Sequence, residues 1–268
     1  MAWATSTDGV EIYYETSGPS TSASSNSATD VVVFVSGFFA ITTIWDDVVK
    51  QLSKTHHCIA LDTRGYGRSA KPIDVLAYSM KRYVRDVEAV LLAAGVPVDQ
   101  KVTVACHSTG GMIANTLYFT NPSRVRAIVY ISTCADAKFY ETVNGSSQQL
   151  KDGVATPSKA PGFFMSFGMT PAIAIEAAKW PTCSLFANAD VVAATVFGEE
   201  RLSQIQVPAL VIHGANDIVS SQEHFAAPLA KALPNTTLEL IEGVRHFPQV
   251  EAPNRTATLL RKFLVGLP

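Results

Sequence analysis

Three residues of this chain stand where covalent chemistry could be done: Ser108, Asp217 and His246. Ser108 lies in Val104-Ala105-Cys106-His107-Ser108-Thr109-Gly110-Gly111-Met112, where a β-branched run stops at a serine among small residues and apolar residues at helical spacing follow. The pattern predicts a strand, a tight turn and a helix, with the serine pushed out at the strand's carboxyl end. A serine hydroxyl is a weak nucleophile near neutral pH; it needs a base to take its proton and a third group to orient that base. Residues 207–217 read as a strand followed by an acid in a loop, and residues 243–248 place His246 in the loop after the last strand-like run. Asp190 is the alternative acid, but no sheet strand precedes it. Cys106 is a rival nucleophile that lies two residues before the apex, where its side chain should pack beneath the turn.

The serine segment approximates G-x-S-x-G with Cys106 in place of the first glycine, and it resembles the nucleophile elbow of the α/β-hydrolase superfamily. The chain order Ser108, Asp217, His246 is the order of that fold and differs from those of the chymotrypsin and subtilisin folds. Asp62-Thr63-Arg64-Gly65-Tyr66-Gly67-Arg68-Ser69 resembles the superfamily's D-x-R-G-x-G-x-S segment, and the Asp62/Arg64 pair is expected to brace a loop. An anionic tetrahedral intermediate needs backbone donors. The Thr109 amide, at the start of the elbow helix, is one expected donor. The resemblance implies the second: where relatives carry His-Gly and then the donor residue, this chain has Ser36-Gly37-Phe38, so Phe38 is assigned, with Phe39 as the alternative. Serine at position 36 removes a side chain that often braces this loop. His107 is expected to pack against or brace the elbow.

The resemblance implies an α/β fold: a mostly parallel eight-stranded sheet with helices on both faces and a helical lid. Residues 1–268 are read as a single domain, with the lid inserted at about 135–200. The implied activity is a serine hydrolase that forms an acyl-enzyme on an ester, a lactone or a carbon–carbon bond beside a ketone. Serine at the elbow argues against epoxide hydrolases and haloalkane dehalogenases, whose relatives use aspartate there. Two alternatives stay open: a cofactor-independent oxygenase, lyase or cyclase with His246 as base, and a ligand-binding receptor with a near-silent triad.

The elements that must position these residues are legible in outline. Residues 3–6 and 10–14 flank Thr7-Asp8-Gly9 as a hairpin, and residues 18–29, mostly Ser, Thr, Ala and Asn, read as a mobile surface loop. Val31–Val35 is a run suited to a strand covered on both faces, and His57–Leu61 is the next. A helix should begin near Trp45, another should run over 83–94 to Gly95, and a third over 110–119. Strands are expected at 102–105, 125–132, 209–213 and 237–241, and helices at 223–233 and 254–265. Alternation of strand and helix argues for parallel pairing. Between the strand ending near Ser132 and that starting at Ala209 the chain far exceeds the dozen or more residues of a crossover, hence the insertion. Its apolar stretch 161–169 and the expected helix at 171–180 suggest a small to medium hydrophobic substrate.

Composition excludes other classes. Hydrophobic residues are 47% and charged residues 16% of 268, with a formal net charge of −2, so nothing draws the chain to nucleic acid. The first residues lack a basic and apolar leader, and no apolar run reaches the roughly 18 residues of a membrane span; a cytoplasmic location is expected. Cys58, Cys106, Cys134 and Cys183 have no C-x-x-C spacing and read as free thiols, and the three N-glycosylation sequons matter only on export. The histidines show no H-E-x-x-H spacing, so neither a metal nor a cofactor is implied. Oligomeric state is not written in the sequence.

Overall fold

A computed structural model describes residues 2–20, 30–141, 147–156, 158–166 and 168–268. Most of the loop expected at 18–29 lies outside the described residues, as does Phe167 of the apolar stretch. The strands are β1 (Ala2–Thr5), β2 (Glu11–Ser17), β3 (Val31–Val35), β4 (His57–Leu61), β5 (Val102–His107), β6 (Val125–Ile131), β7 (Ala209–Gly214) and β8 (Thr236–Ile241). They form one sheet in the order β1-β2-β4-β3-β5-β6-β7-β8. β2 is antiparallel to both β1 and β4, and every later pairing is parallel.

The runs without alternation became the strands with two covered faces: every residue of β3, β4, β5 and β7 is buried. Along β3, Val32 and Phe34 join one core with α1 (Asp46–Leu52) and the C-terminal helix, while Val31, Val33 and Val35 join the other with α2 (Met80–Ala93) and α3 (Gly110–Thr120). α2 begins a turn earlier than apolar spacing suggests, because the Ser79 hydroxyl accepts from the Arg82 amide and caps it. Between β6 and β7 stand α4 (Lys138–Glu141), α5 (Ser147–Gly153), α6 (Ala160–Ser166), α7 (Pro171–Ala177), α8 (Thr182–Ala193) and α9 (Glu199–Leu202). The helix expected at 171–180 thus ends at Ala177, ahead of Pro181. That expected at 223–233 is a wide turn over Gln222–Ala226 followed by α10 (Ala227–Ala232). Pro228 has no N–H to return to the preceding turn, which marks the join. α11 (Pro248–Glu251) and α12 (Pro253–Val265) close the chain.

The D-x-R-G segment braces loops, but not as a pair. Arg64 is wholly buried and grips Asp86 through both Nε (2.6 Å) and an Nη (2.5 Å), and also reaches Asp8. Asp62 instead accepts from the amides of Thr42 (2.7 Å) and Arg68 (2.9 Å). The reason is length: the arginine reaches across to α2, while the short aspartate can serve only the loop beside it.

β3 leads on to β4 on one side of it, and β5 leads on to β6 on the other. A parallel sheet opens a crevice where its connections diverge in this way, at the carboxyl ends of the two strands. Ser36 to Phe39 and Ser108 flank that crevice.

Candidate active site

Ser108 caps β5 with φ +51°, a left-handed conformation that costs a non-glycine residue about 1–3 kcal/mol. Its carbonyl accepts from Gly111 and Cys134 amides, which hold the turn closed. The neighbouring loop must come very close. A Cβ on Gly37 would stand 2.6 Å from Ser108 Cβ, 2.8 Å from the His107 carbonyl oxygen and 2.9 Å from Thr109 N, so only glycine lets the β3 loop lie against the elbow. The next residues form a turn closed by Ala40 N to Gly37 O (3.2 Å), with Phe39 at φ +49°.

Ser108 Oγ lies 3.1 Å from His246 Nε2, and His246 Nδ1 lies 2.8 Å from Asp217 Oδ2. The three residues named from sequence are therefore brought together across 138 and 29 positions of chain. Asp217 sits in the turn after β7, where its Oδ1 accepts from the Val219 (2.8 Å) and Ser220 (3.0 Å) amides. The loop after β8 reaches it because β7 ends in glycine: a Cβ on Gly214 would lie 2.0 Å from the Arg245 carbonyl oxygen. Asn216 N donates to Val244 O at 2.8 Å and ties the two loops.

Burial opposes ionisation of Asp217, but the charge and hydrogen bond of His246, together with His213 and the Ser220 amide, outweigh it and hold the carboxyl well below the usual range. Sequence reasoning missed two neighbours of this carboxylate. The Ser220 hydroxyl donates to Asp217 Oδ2 at 2.7 Å, and His213 Nε2 approaches the same oxygen at 3.6 Å. An Asp followed three residues later by Ser, and a histidine four residues before the acid, were the available clues.

His107 sits under His246, ring centroids 4.9 Å apart, and its Nε2–H donates to the His246 carbonyl at 2.8 Å. It braces the histidine loop as well as the elbow. Burial and then the nearby His246 charge push its pKa from 6.5 down to about 3. Between those values the unfolded chain binds a proton that the folded chain refuses, so folded stability rises with pH. Wild type should therefore lose about 1.4 kcal/mol per pH unit more than His107→Gln as pH falls from about 6 to about 4. Urea unfolding at several pH values measures the difference; parallel curves would show that His107 is not neutral in the fold.

Cys106 packs beneath the turn as expected, its Sγ 3.4 Å from Val129 O, and burial pushes its thiol upward, away from thiolate formation. Asp190 lies in the insertion, largely exposed and paired with Lys151 at 2.5 Å, away from His246. In the loop after β3, Trp45 Nε1 donates to the buried Ser36 Oγ at 3.0 Å and so braces the segment in which the sequence has no histidine. The Phe38 amide donates to Thr109 Oγ1 at 2.8 Å.

The insertion meets this edge through rings. Phe39 packs on Phe164 at 4.1 Å and on Phe163 at 6.0 Å, and Tyr66 joins Phe38 (6.0 Å) to Trp180 (5.4 Å). Below, the Asp136 carboxylate accepts from Phe197 (3.1 Å) and Gly198 (2.6 Å) amides, and the Tyr83 hydroxyl donates to Asn188 at 2.6 Å. Ser108 is left 7% exposed and His246 4%.

Among the described residues no helix is long and apolar enough to cross a membrane. The profile of the alpha/beta hydrolase family matches residues 32–259. A non-heme chloroperoxidase of Streptomyces lividans is 27% identical over 92% of this chain and 93% of its own length. The 3-oxoadipate enol-lactonase 2 of Acinetobacter baylyi is 24% identical over 83% of this chain and 84% of its own. A thermophilic esterase from Thermogutta terrifontis superposes with a TM-score of 0.80 at 22% identity, covering 99% of this chain and 98% of that one.

Proposed function

The chain belongs to the alpha/beta hydrolase family and is an enzyme of the hydrolase class, and from that premise we propose that it is a serine hydrolase working through Ser108, His246 and Asp217. The observation that carries this reading is the unbroken hydrogen-bond chain from Asp217 through His246 to a serine held in a strained turn. His246 Nε2 takes the Ser108 proton as Oγ bonds to the substrate carbonyl carbon. The Phe38 and Thr109 amides hold the oxygen that becomes negative. His246 then gives its proton to the departing alcohol or carbon group as that bond breaks, leaving the acyl-enzyme. A water deprotonated by His246 attacks it, and the acid is released with Ser108 restored. Asp217 keeps the Nδ1 proton in place throughout.

The substrate reading is an ester, a lactone or a ketone-adjacent carbon–carbon bond in a small to medium hydrophobic molecule. It is supported by the ring cluster of Phe38, Phe39, Tyr66, Phe164 and Trp180 beside the serine, and by the esterase and enol-lactonase names among the relatives. Residues 1–268 act as one domain, and the helices of the insertion serve as its lid. Covalent labelling tests the mechanism: a fluorophosphonate should attach to Ser108 and block turnover of short acyl esters. Turnover with no labelling, dependent on His246, would instead mark base chemistry without an acyl-enzyme.

Gly37→Ala is expected to lower kcat about 100-fold, the typical cost of one misplaced oxyanion donor, because the added Cβ meets the elbow backbone and must push the Phe38 amide away. Steady-state kinetics with circular dichroism checks this; normal kcat in a folded variant would remove the Phe38 assignment.

A further inference from the structure

The Phe38 N–H, assigned above to the oxyanion, already has an acceptor: the Thr109 hydroxyl, 2.8 Å away. An amide carries one proton, so it cannot bond fully to that hydroxyl and to a substrate oxygen at once. Thr109 stands at the N-terminal cap position of α3, where threonine commonly bonds its own helix, yet its hydroxyl makes no cap bond there. It turns across the crevice to the β3 loop instead. The approach is tight, since Gly37 brings that loop against Thr109 N, and Thr109 is 6% exposed, so few other acceptors can reach the Phe38 amide.

We propose that the Thr109 side chain is an internal occupant of the oxyanion hole, competing with the substrate carbonyl oxygen for the Phe38 amide and so weakening ground-state binding. The inference rests on the serine-hydrolase reading. A neutral hydroxyl and a neutral carbonyl are similar acceptors, so exchanging one for the other on substrate binding gains little. As the carbonyl oxygen becomes an anion, its hydrogen bond becomes roughly twice as strong, and the exchange turns favourable. The hydroxyl therefore yields the amide as the tetrahedral intermediate forms. Thr109 is a specificity-determining residue in this role: it favours substrates whose acyl or leaving group binds well elsewhere, since the carbonyl contributes little before attack.

The experiment compares wild type with Thr109→Ala, which empties the position, and Thr109→Ser, which keeps the hydroxyl. KM for a short acyl ester, and Ki for a methyl ketone of the same chain length, should both fall about 2- to 10-fold in Thr109→Ala, the worth of one neutral hydrogen bond. The change in kcat should be smaller, and Thr109→Ser should return both constants toward wild type. A fall in kcat with KM and Ki unchanged would overturn the proposal, by making the hydroxyl a donor to the oxyanion or a brace of the Phe38 loop; unchanged kinetics would overturn it too. Fluorophosphonate labelling at Ser108 in all three proteins separates this failure from failure of the serine-hydrolase reading, which would abolish labelling in wild type itself.

Discussion

Replacing Ser108 by alanine is expected to cut kcat for an ester substrate by about 10⁴- to 10⁶-fold, with the fold intact. Alanine occupies the left-handed turn at φ +51° with much the same strain as serine, so thermal stability should change little. What disappears is the atom that forms the acyl bond; the amides and the pocket remain, which is why some acceleration over water survives. His246→Ala should fall to a similar level, and the double variant should be hardly worse, because groups that act in one chain of proton transfer are not additive. Ester kinetics at high enzyme concentration, together with loss of the fluorophosphonate adduct, measures it. Activity within tenfold of wild type in Ser108→Ala would sink the acyl-enzyme and leave His246 as a base acting directly on substrate.

The second large effect is expected at Asp217→Asn, about 10⁴-fold in kcat near neutral pH. Its direction follows from which oxygen does what. Oδ1 receives two backbone amides, from Val219 and Ser220, so in the variant the side-chain oxygen must take that place. The NH₂ group then stands where Oδ2 was, facing His246 Nδ1 at hydrogen-bond distance. A donor there selects the imidazole tautomer with its proton on Nε2, and that nitrogen can no longer accept from Ser108. The Ser220 hydroxyl, which donates to Oδ2 in wild type, would have to turn and accept. The rate of fluorophosphonate labelling should drop in parallel with kcat. A loss under tenfold would show that Ser220 and His213, both crowded on the same oxygen, orient His246 without the carboxylate.

How much of this was legible in the chain differs from element to element. β3, β4 and β7 stand within a residue of their expected bounds, because a buried strand needs an unbroken apolar or β-branched run and such runs are visible by eye. The start of α2 was not, since Ser79 is separated from the apolar face by Met80, Lys81 and Arg82 and reads as loop. The insertion was seen as an excess of length, and of its helices only α7 was anticipated, at 171–180; the others pack on one another and on the rings of Phe39 and Tyr66 rather than through a periodic face. Asp62 and Arg64 brace loops as expected, but their partners were not legible for a related reason, as Arg64 finds its own 22 residues away in Asp86.

By itself the sequence determined the family pattern, the strands, the elbow serine and the order in which acid and histidine follow it, because those depend on local residue type and on spacing along the chain. Only the tertiary structure decided what each group faces. It put the Trp45 indole on Ser36, set His107 beneath His246, gave Asp217 its extra neighbours and turned the Thr109 hydroxyl onto the Phe38 amide. These are contacts between loops that leave separate strands at one edge of a sheet. Their partners are set by strand order and by the close approaches that Gly37 and Gly214 permit, neither of which has a period or a spacing to read.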